Sequence, residues 1–414
     1  MEKNRTDILS VETCIGRQPI FDREKNTRAY EILYRALGEP ASTAYTDEHI
    51  TTLQLISNTI FNTDQEAFRG RLFINYSKRA VLDKIPFVFS PGSVVKIRDS
   101  KVMGEDLILH LKALRDVDYI IAVDDFSGSS TNDALYSIAD IFVVDFHNSA
   151  ENLPVLIQKA QEHRGTVMAK RIDSNKQFEC AKGFGVDLFQ GGFFHEPEIV
   201  PGKRLNSSEC SRLNLLEFIK EDIPDFCELA EAIQVDPALT HRVLFYINSP
   251  YFGVATKVTS VRHAITLLGW AKIKSLLYLV VLTDASSPLS NELFIASATR
   301  AMFLKIVSEA YPENSPPSED LFLMGLLSLL DVIFKVPMVE ALSNIALDSA
   351  ISNMLLKKEG DLYCWLQLSM AFESGDWGQA SCVIKILNLD LVKVSKGYFE
   401  ALQWVNTYYG NILK

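Results

Sequence analysis

Between residue 27 and about residue 190, short β-prone runs alternate with longer amphipathic ones, and this alternation limits the fold more than any other feature of the chain. The strand candidates are Arg28–Tyr34, Arg71–Asn75, Ser93–Ile97, Tyr119–Val123, Ile141–Asp145, Thr166–Ala169 and Val186–Phe189. Helix candidates lie between most of them: Glu48–Phe61, Gly104–Arg115, Asn132–Ile138, Leu153–His163 and Lys176–Lys182. Runs such as Tyr119–Val123 are apolar on both faces, which suits a sheet covered by helices. A single α/β barrel needs roughly 200–250 residues, and the 200 residues up to the linker supply about the lower figure. An open doubly wound sheet is the competing reading, but no G-x-G-x-x-G follows the first strand.

A polar stretch, Glu198–Ser211, ends this pattern and reads as a linker, giving domains over residues 1–200 and 205–414. Everything after it has helical spacing, from Leu213–Lys220 and Phe226–Ala232 through Leu293–Glu309 and Leu321–Phe334 to Leu362–Ser374 and Trp377–Leu387. The expected fold class is therefore α/β plus all-α, a (β/α)8-like barrel followed by a helical domain. At 48% apolar and 22% charged residues, the chain can fill both cores, which excludes disorder as its main state.

The formal charge of −11 offers no long-range attraction to nucleic acid or anionic lipid, and basic residues cluster only in short pairs such as Lys78-Arg79 and Lys357-Lys358. The longest strongly apolar stretch, Leu321–Phe334, is shorter than the roughly 20 residues that span a bilayer. Six cysteines without a C-x-x-C spacing suggest a reducing compartment, and a cytoplasmic protein is expected.

In a barrel, polar groups at the C-terminal strand ends converge on one face. Those ends carry Glu31 with Arg35, Asn75, the pair Asp124-Asp125, and Gln190. Adjacent aspartates with Glu and Asn could form an oxygen-rich shell for Mg²⁺ or Mn²⁺. The run Asp124–Gly128 equally fits a helix-capping loop.

The series Glu31-Ile32-Leu33-Tyr34-Arg35, Phe73-Ile74-Asn75, Val123-Asp124-Asp125-Phe126-Ser127-Gly128 and Gln190-Gly191-Gly192-Phe193-Phe194-His195-Glu196-Pro197 resembles the ordered motifs of the EAL family of cyclic di-GMP phosphodiesterases. The resemblance implies that Glu31, Asn75, Asp124 and Asp125 match metal-site positions, Arg35 the arginine near the substrate phosphate, and Gln190 the late glutamine. Three other positions depart from it. Lys96 and Lys170 stand where the family carries glutamates, and Val143 replaces the catalytic-site lysine. An ammonium in place of a carboxylate changes the local charge by about two units, and valine neither ligates nor transfers a proton. Two-metal chemistry is therefore expected to be lost, and no metal or cofactor is expected. Lys96 and Lys170 are then either phosphate partners for a retained cyclic dinucleotide, together with the other matched residues, or partners of the orphaned carboxylates in a plugged mouth.

The second half resembles the HDOD family, helical domains related to metal-dependent HD phosphohydrolases. The likeness lies in Asp236-Pro237-Ala238-Leu239, Val243–Gly253 and Ser260–Trp270. Where relatives with a His-Asp pair carry it, this chain has Ser328-Leu329 after Gly325-Leu326-Leu327, and no histidine follows His263. Three readings follow: a non-catalytic signalling scaffold meeting a protein partner through the helical domain, a cyclic di-GMP effector without hydrolysis, and a residual phosphodiesterase. Oligomeric state has no signature in the sequence.

Overall fold

A computed structural model of the protein describes residues 13–36, 71–100, 104–147, 152–196, 225–234, 288–342 and 347–409, with isolated positions between 243 and 277. The expected helices Glu48–Phe61 and Leu213–Lys220, the linker, and most of the three HDOD motif blocks lie outside the described residues. By contacts the chain forms two compact units, Met1–Glu196 with Met370–Phe399 and Pro197–Ser369 with Glu400–Lys414. The division into 1–200 and 205–414 read from sequence makes no provision for this return of residues 370–399 to the first unit.

Eight strands close the barrel in chain order: β1 (Thr13–Phe21), β2 (Thr27–Ala36), β3 (Arg71–Tyr76), β4 (Val94–Arg98), β5 (Ile120–Asp124), β6 (Ile141–Asp145), β7 (Thr166–Lys170) and β8 (Leu188–Phe189). Strands β2 to β8 are parallel, whereas β1 runs antiparallel to both of its neighbours, β2 and β8. The sequence reading placed no strand before residue 27, so β1 is a correction. Its run carries Gly16 and Pro19 and reaches β2 by a hairpin rather than a helix, so the strand–helix rhythm does not announce it.

Helices form where apolar residues recur at helical spacing against the sheet. In Glu105–Arg115 the buried residues are Leu107, Ile108, Leu111 and Leu114, with Glu105 and Asp106 in the first turn and Lys112 and Arg115 in the last, each sign opposing the nearer end of the helix dipole. Pro154 in the first turn of Leu153–Glu162 and the Ser174 cap of Asn175–Gly183 mark two further starts.

In the helical region, Pro288–Ala310 packs against Ser318–Leu327 closely enough that a Cβ on Gly325 would meet backbone atoms of Ala301 at 2.7–2.8 Å. The expected helix Leu321–Phe334 is two, Ser318–Leu327 and Leu330–Phe334, because the Ser328 hydroxyl and backbone amide both turn back to the Gly325 carbonyl. A final helix, Leu391–Tyr409, was absent from the sequence reading. Its buried Val394, Tyr398, Ala401, Leu402 and Val405 show the spacing that identifies it.

Candidate functional site

Side chains alternate across a strand, so every second residue of each barrel strand faces inward. One inward layer is apolar and closed: Ile20, Ala29, Phe73, Val94, Ala122, Val143 and Met168, with Leu188 packed against it. Two residues further toward the mouth, the same strands present Gln18, Glu31, Asn75, Lys96, Asp124, Asp145, Lys170 and Gln190. An apolar floor thus lies directly beneath a polar ring.

The ring is cross-linked by its own side chains. Glu31, 3% exposed, accepts at Oε1 from Asn75 Nδ2 (2.8 Å) and Lys96 Nζ (2.8 Å), and at Oε2 from Gln190 Nε2 (2.7 Å). Lys96 Nζ also stands 3.3 Å from Asp124 Oδ2. Lys170 Nζ lies 2.7 Å from Asp124 Oδ1 and 2.7 Å from Asp125 Oδ1, and Arg98 reaches Asp125 Oδ2 at 3.0 Å. On the remaining side, Arg171 forks onto Asp145, donating from Nε to Oδ1 at 2.9 Å and pairing through its other nitrogen with Oδ2. His147 follows, with its backbone amide on Asp145 and its ring 2.8 Å from Asp173.

Local backbone geometry serves these contacts. Asp125 and Arg171, each one residue past a strand end, have φ of +53° and +61°. That conformation costs a non-glycine residue on the order of 1 kcal/mol or more, and the ion pairs at both side chains hold it. Gly191 lets the chain after Gln190 press on the β7 loop, since a Cβ there would sit 2.1 Å from the Ile172 carbonyl oxygen.

The electrostatics follow from burial and pairing. Burial alone would raise the Asp124 carboxyl pKa, but the ammonium groups of Lys96 and Lys170 outweigh it and hold the pKa below its ordinary 3.8. Burial alone would likewise depress Lys96, yet Asp124 and Glu31 hold its pKa above 10.5. Both stay charged at neutral pH. Three carboxylates, Glu31, Asp124 and Asp125, thus meet three cations, Lys96, Lys170 and Arg98, a local balance of zero.

The structure brings together seven of the eight residues singled out from sequence: Glu31, Asn75, Lys96, Asp124, Asp125, Lys170 and Gln190. The eighth, Arg35, lies on β2, and its side chain is outside the described residues. Of the two lysine arrangements left open, the side chains take the carboxylate-paired one. The Asp124–Gly128 run caps no helix through its aspartates; Asp99 instead binds the Ser127 amide and hydroxyl, and the turn Ser130–Asn132 has no side-chain cap. Sequence reasoning passed over Arg98, Asp145 and Arg171 as site residues. The signal was available for the first two, which stand two positions beyond Lys96 and Val143 on strands already recognised.

A divalent ion between Glu31 and Asp124 would require the Lys96 ammonium, itself 3% exposed, to leave, and one between Asp124 and Asp125 would require Lys170 to leave. The residues present do not fit the metal pair that the EAL resemblance implies. Among the described residues, no group of three or more His, Cys, Asp or Glu is arranged to hold a metal ion.

In the helical unit, buried Arg300 donates to Ser328 Oγ at 3.0 Å, and Leu329 is 4% exposed. These occupy the positions at which the resemblance would put a His-Asp pair. His263 is exposed, and His241 lies outside the described residues. Of the aromatics weighed as core or interface, Trp365 is buried, while Trp377 and Trp404 are half-buried.

The HDOD domain family matches residues 210–359. The uncharacterized protein YuxH of Bacillus subtilis is 29% identical over 402 residues, covering 94% of this chain and 97% of its own. The cyclic di-GMP phosphodiesterase CdgJ of Vibrio cholerae is 26% identical over 398 residues, covering 95% and 92%. Among solved structures, an EAL domain protein from Listeria monocytogenes aligns with 47% of this chain and 93% of its own at 17% identity, with a TM-score of 0.38.

Proposed function

We propose that the chain is an EAL–HDOD signalling protein, an EAL-like barrel followed by an HDOD domain, and that it works without catalysis, as a scaffold or regulator that meets a protein partner through its HDOD domain. One observation carries the reading. Lys96 and Lys170 neutralise, at 2.7–3.3 Å, the carboxylates that two-metal hydrolysis would need for its cations. No catalytic metal or cofactor enters this proposal, and Val143 provides neither a ligand nor a proton at its position.

The same neutrality weighs against the effector reading, because each of these lysines already has carboxylate partners that a nucleotide phosphate would have to displace. HDOD domains generally serve as protein-interaction modules in signalling systems, and the Ser328-Leu329 replacement supports that role here. Cytoplasmic placement belongs to the proposal. Cys180, Cys364 and Cys382 are free thiols, and among the described residues no helix is long and apolar enough to cross a membrane.

The residual-phosphodiesterase reading draws on one observation, the name and coverage of CdgJ. Calorimetric titration of the full chain with cyclic di-GMP up to about 100 μM, with Mn²⁺ present, separates the readings. Dilution heat alone is expected. Saturable binding at one site per chain would overturn the plain scaffold, and hydrolysis of the nucleotide in the same mixture would overturn the absence of catalysis.

A further inference from the structure

Gly16 on β1 and Leu33 on β2 stand opposite each other, one step beyond the opposed pair Gln18 and Glu31. Alternation puts all four on the inward face of the hairpin, with Gly16 and Leu33 about 7 Å further out along the strands than Glu31. A segment from near the other end of the chain rests on them. A Cβ on Gly16 would come 2.6 Å from the Phe372 carbonyl oxygen and 3.5 Å from the Trp377 ring. A Cβ on Gly375, whose φ is +68°, would lie 3.4 Å from Leu33 Cβ. At Gly16 the Phe372 carbonyl leaves no room for a Cβ, and at Gly375 the positive φ favours glycine.

The segment is well anchored. Phe372 is fully buried, meets Trp377 edge-on at 5.5 Å, and packs on Tyr398 at 5.1 Å. The Asp376 amide donates to the Ala371 carbonyl, and the Asp376 carboxylate caps the helix Trp377–Ile386 through the Gln379 amide. This hairpin face and residues 370–399 belong to the same compact unit.

We propose that residues 372–377 form an intramolecular lid over the β1–β2 side of the barrel mouth, seated on Gly16 and Leu33 and blocking approach to Glu31. The docking surface is the inward face of the hairpin, and its occupant is this chain's own return segment. The lid rests on the reading of the mouth as closed, and adds to the internal ion pairs a second barrier made of chain. A nucleotide-sized ligand reaches Glu31 from this side only when the lid lifts.

The test is Leu33→Cys with Gly375→Cys in the full chain, oxidised and mapped by peptide mass spectrometry. Disulfides need Cβ atoms about 3.5–4.5 Å apart, close to the spacing here. The expected result is a 33–375 link at least tenfold more abundant than links from position 33 to the exposed native Cys382, and lost in urea. Equal abundance in folded protein overturns the lid.

Gly16→Leu gives an independent reading, because its side chain cannot coexist with Phe372 in place. Tryptic cleavage at Lys385 and Lys393 should quicken at least tenfold while far-ultraviolet dichroism stays native, and unchanged cleavage in a folded variant overturns the proposal. Nucleotide titration of the wild-type chain separates the two ideas. Saturable heat defeats the closed mouth whatever the cross-link shows, whereas a missing cross-link without nucleotide heat defeats the lid alone.

Discussion

Lys96 and Glu31 pair at 2.8 Å with side chains 3% and 4% exposed, and they do so across β3, which separates their strands β4 and β2. The contact therefore adds a restraint that the backbone ladder does not supply. Asp124, reached by the same ammonium, extends it to β5.

Removing Lys96 leaves the buried Glu31 carboxylate with only amide donors and Asp124 with Lys170 as its remaining lysine partner. Lys96→Met should cost about 3–5 kcal/mol in the urea unfolding of the full chain. Combining it with Glu31→Gln should return a substantial part of the loss, since one stranded charge goes with its partner. A single-variant loss under about 1 kcal/mol would show that the pair is solvated and that the mouth is open.

The pH dependence has a defined sign at each end. The folded pKa of Asp124 lies below 3.8, so its contribution is complete above that value and is lost as pH falls through the folded pKa. Lys96 has a folded pKa above 10.5, so its contribution is complete below 10.5 and is lost as pH rises through the folded value. Thermal unfolding across the pH range should show the contribution of this pair flat between those limits. In Lys96→Met the alkaline loss attributable to this residue should disappear, and an unchanged alkaline limb would assign it elsewhere.

Adding Mn²⁺ or Mg²⁺ should leave the melting temperature of the wild-type barrel unchanged, because the charges that would hold a cation are already neutralised. Lys96→Glu with Lys170→Glu converts the cluster into five carboxylates beside Asn75. This variant should melt early in chelator and recover with metal, by about 2.7 kcal/mol at one hundred times the dissociation constant. Indifference of the double variant to both ions would mean that the ring geometry itself, and not the two ammonium groups, excludes metal.

In the helical unit, Arg300 is 3% exposed and reaches Ser328. Ser328→Ala should cost about 1 kcal/mol, the net value of one such hydrogen bond. Arg300→Met should cost more, since Arg300 also bears electrostatically on the half-buried Asp331, whose pKa burial raises. Thermal denaturation of both variants decides the order, and equal losses would reduce the arginine to that one contact.

Strands β2 to β8 were legible because each is a short apolar run followed by a turn and, usually, a helix, and most site residues were legible because they lie toward the C-terminal ends of those runs. Charge at known strand ends left two arrangements open for Lys96 and Lys170, and the side chains take the carboxylate-paired one. What escaped was non-local. Strand β1 is recognised only by its antiparallel partners, and no local pattern in residues 370–399 says that they rest on Gly16 and Leu33. The Arg171 pair with Asp145 depends on a positive φ that an arginine does not advertise.

The zero charge balance of Glu31, Asp124 and Asp125 against Lys96, Lys170 and Arg98 makes the mouth intolerant of a single charge exchange. Changing either lysine alone to an acid moves the cluster from zero to −2 beside the buried Glu31 carboxylate, so each such exchange strains the folded protein.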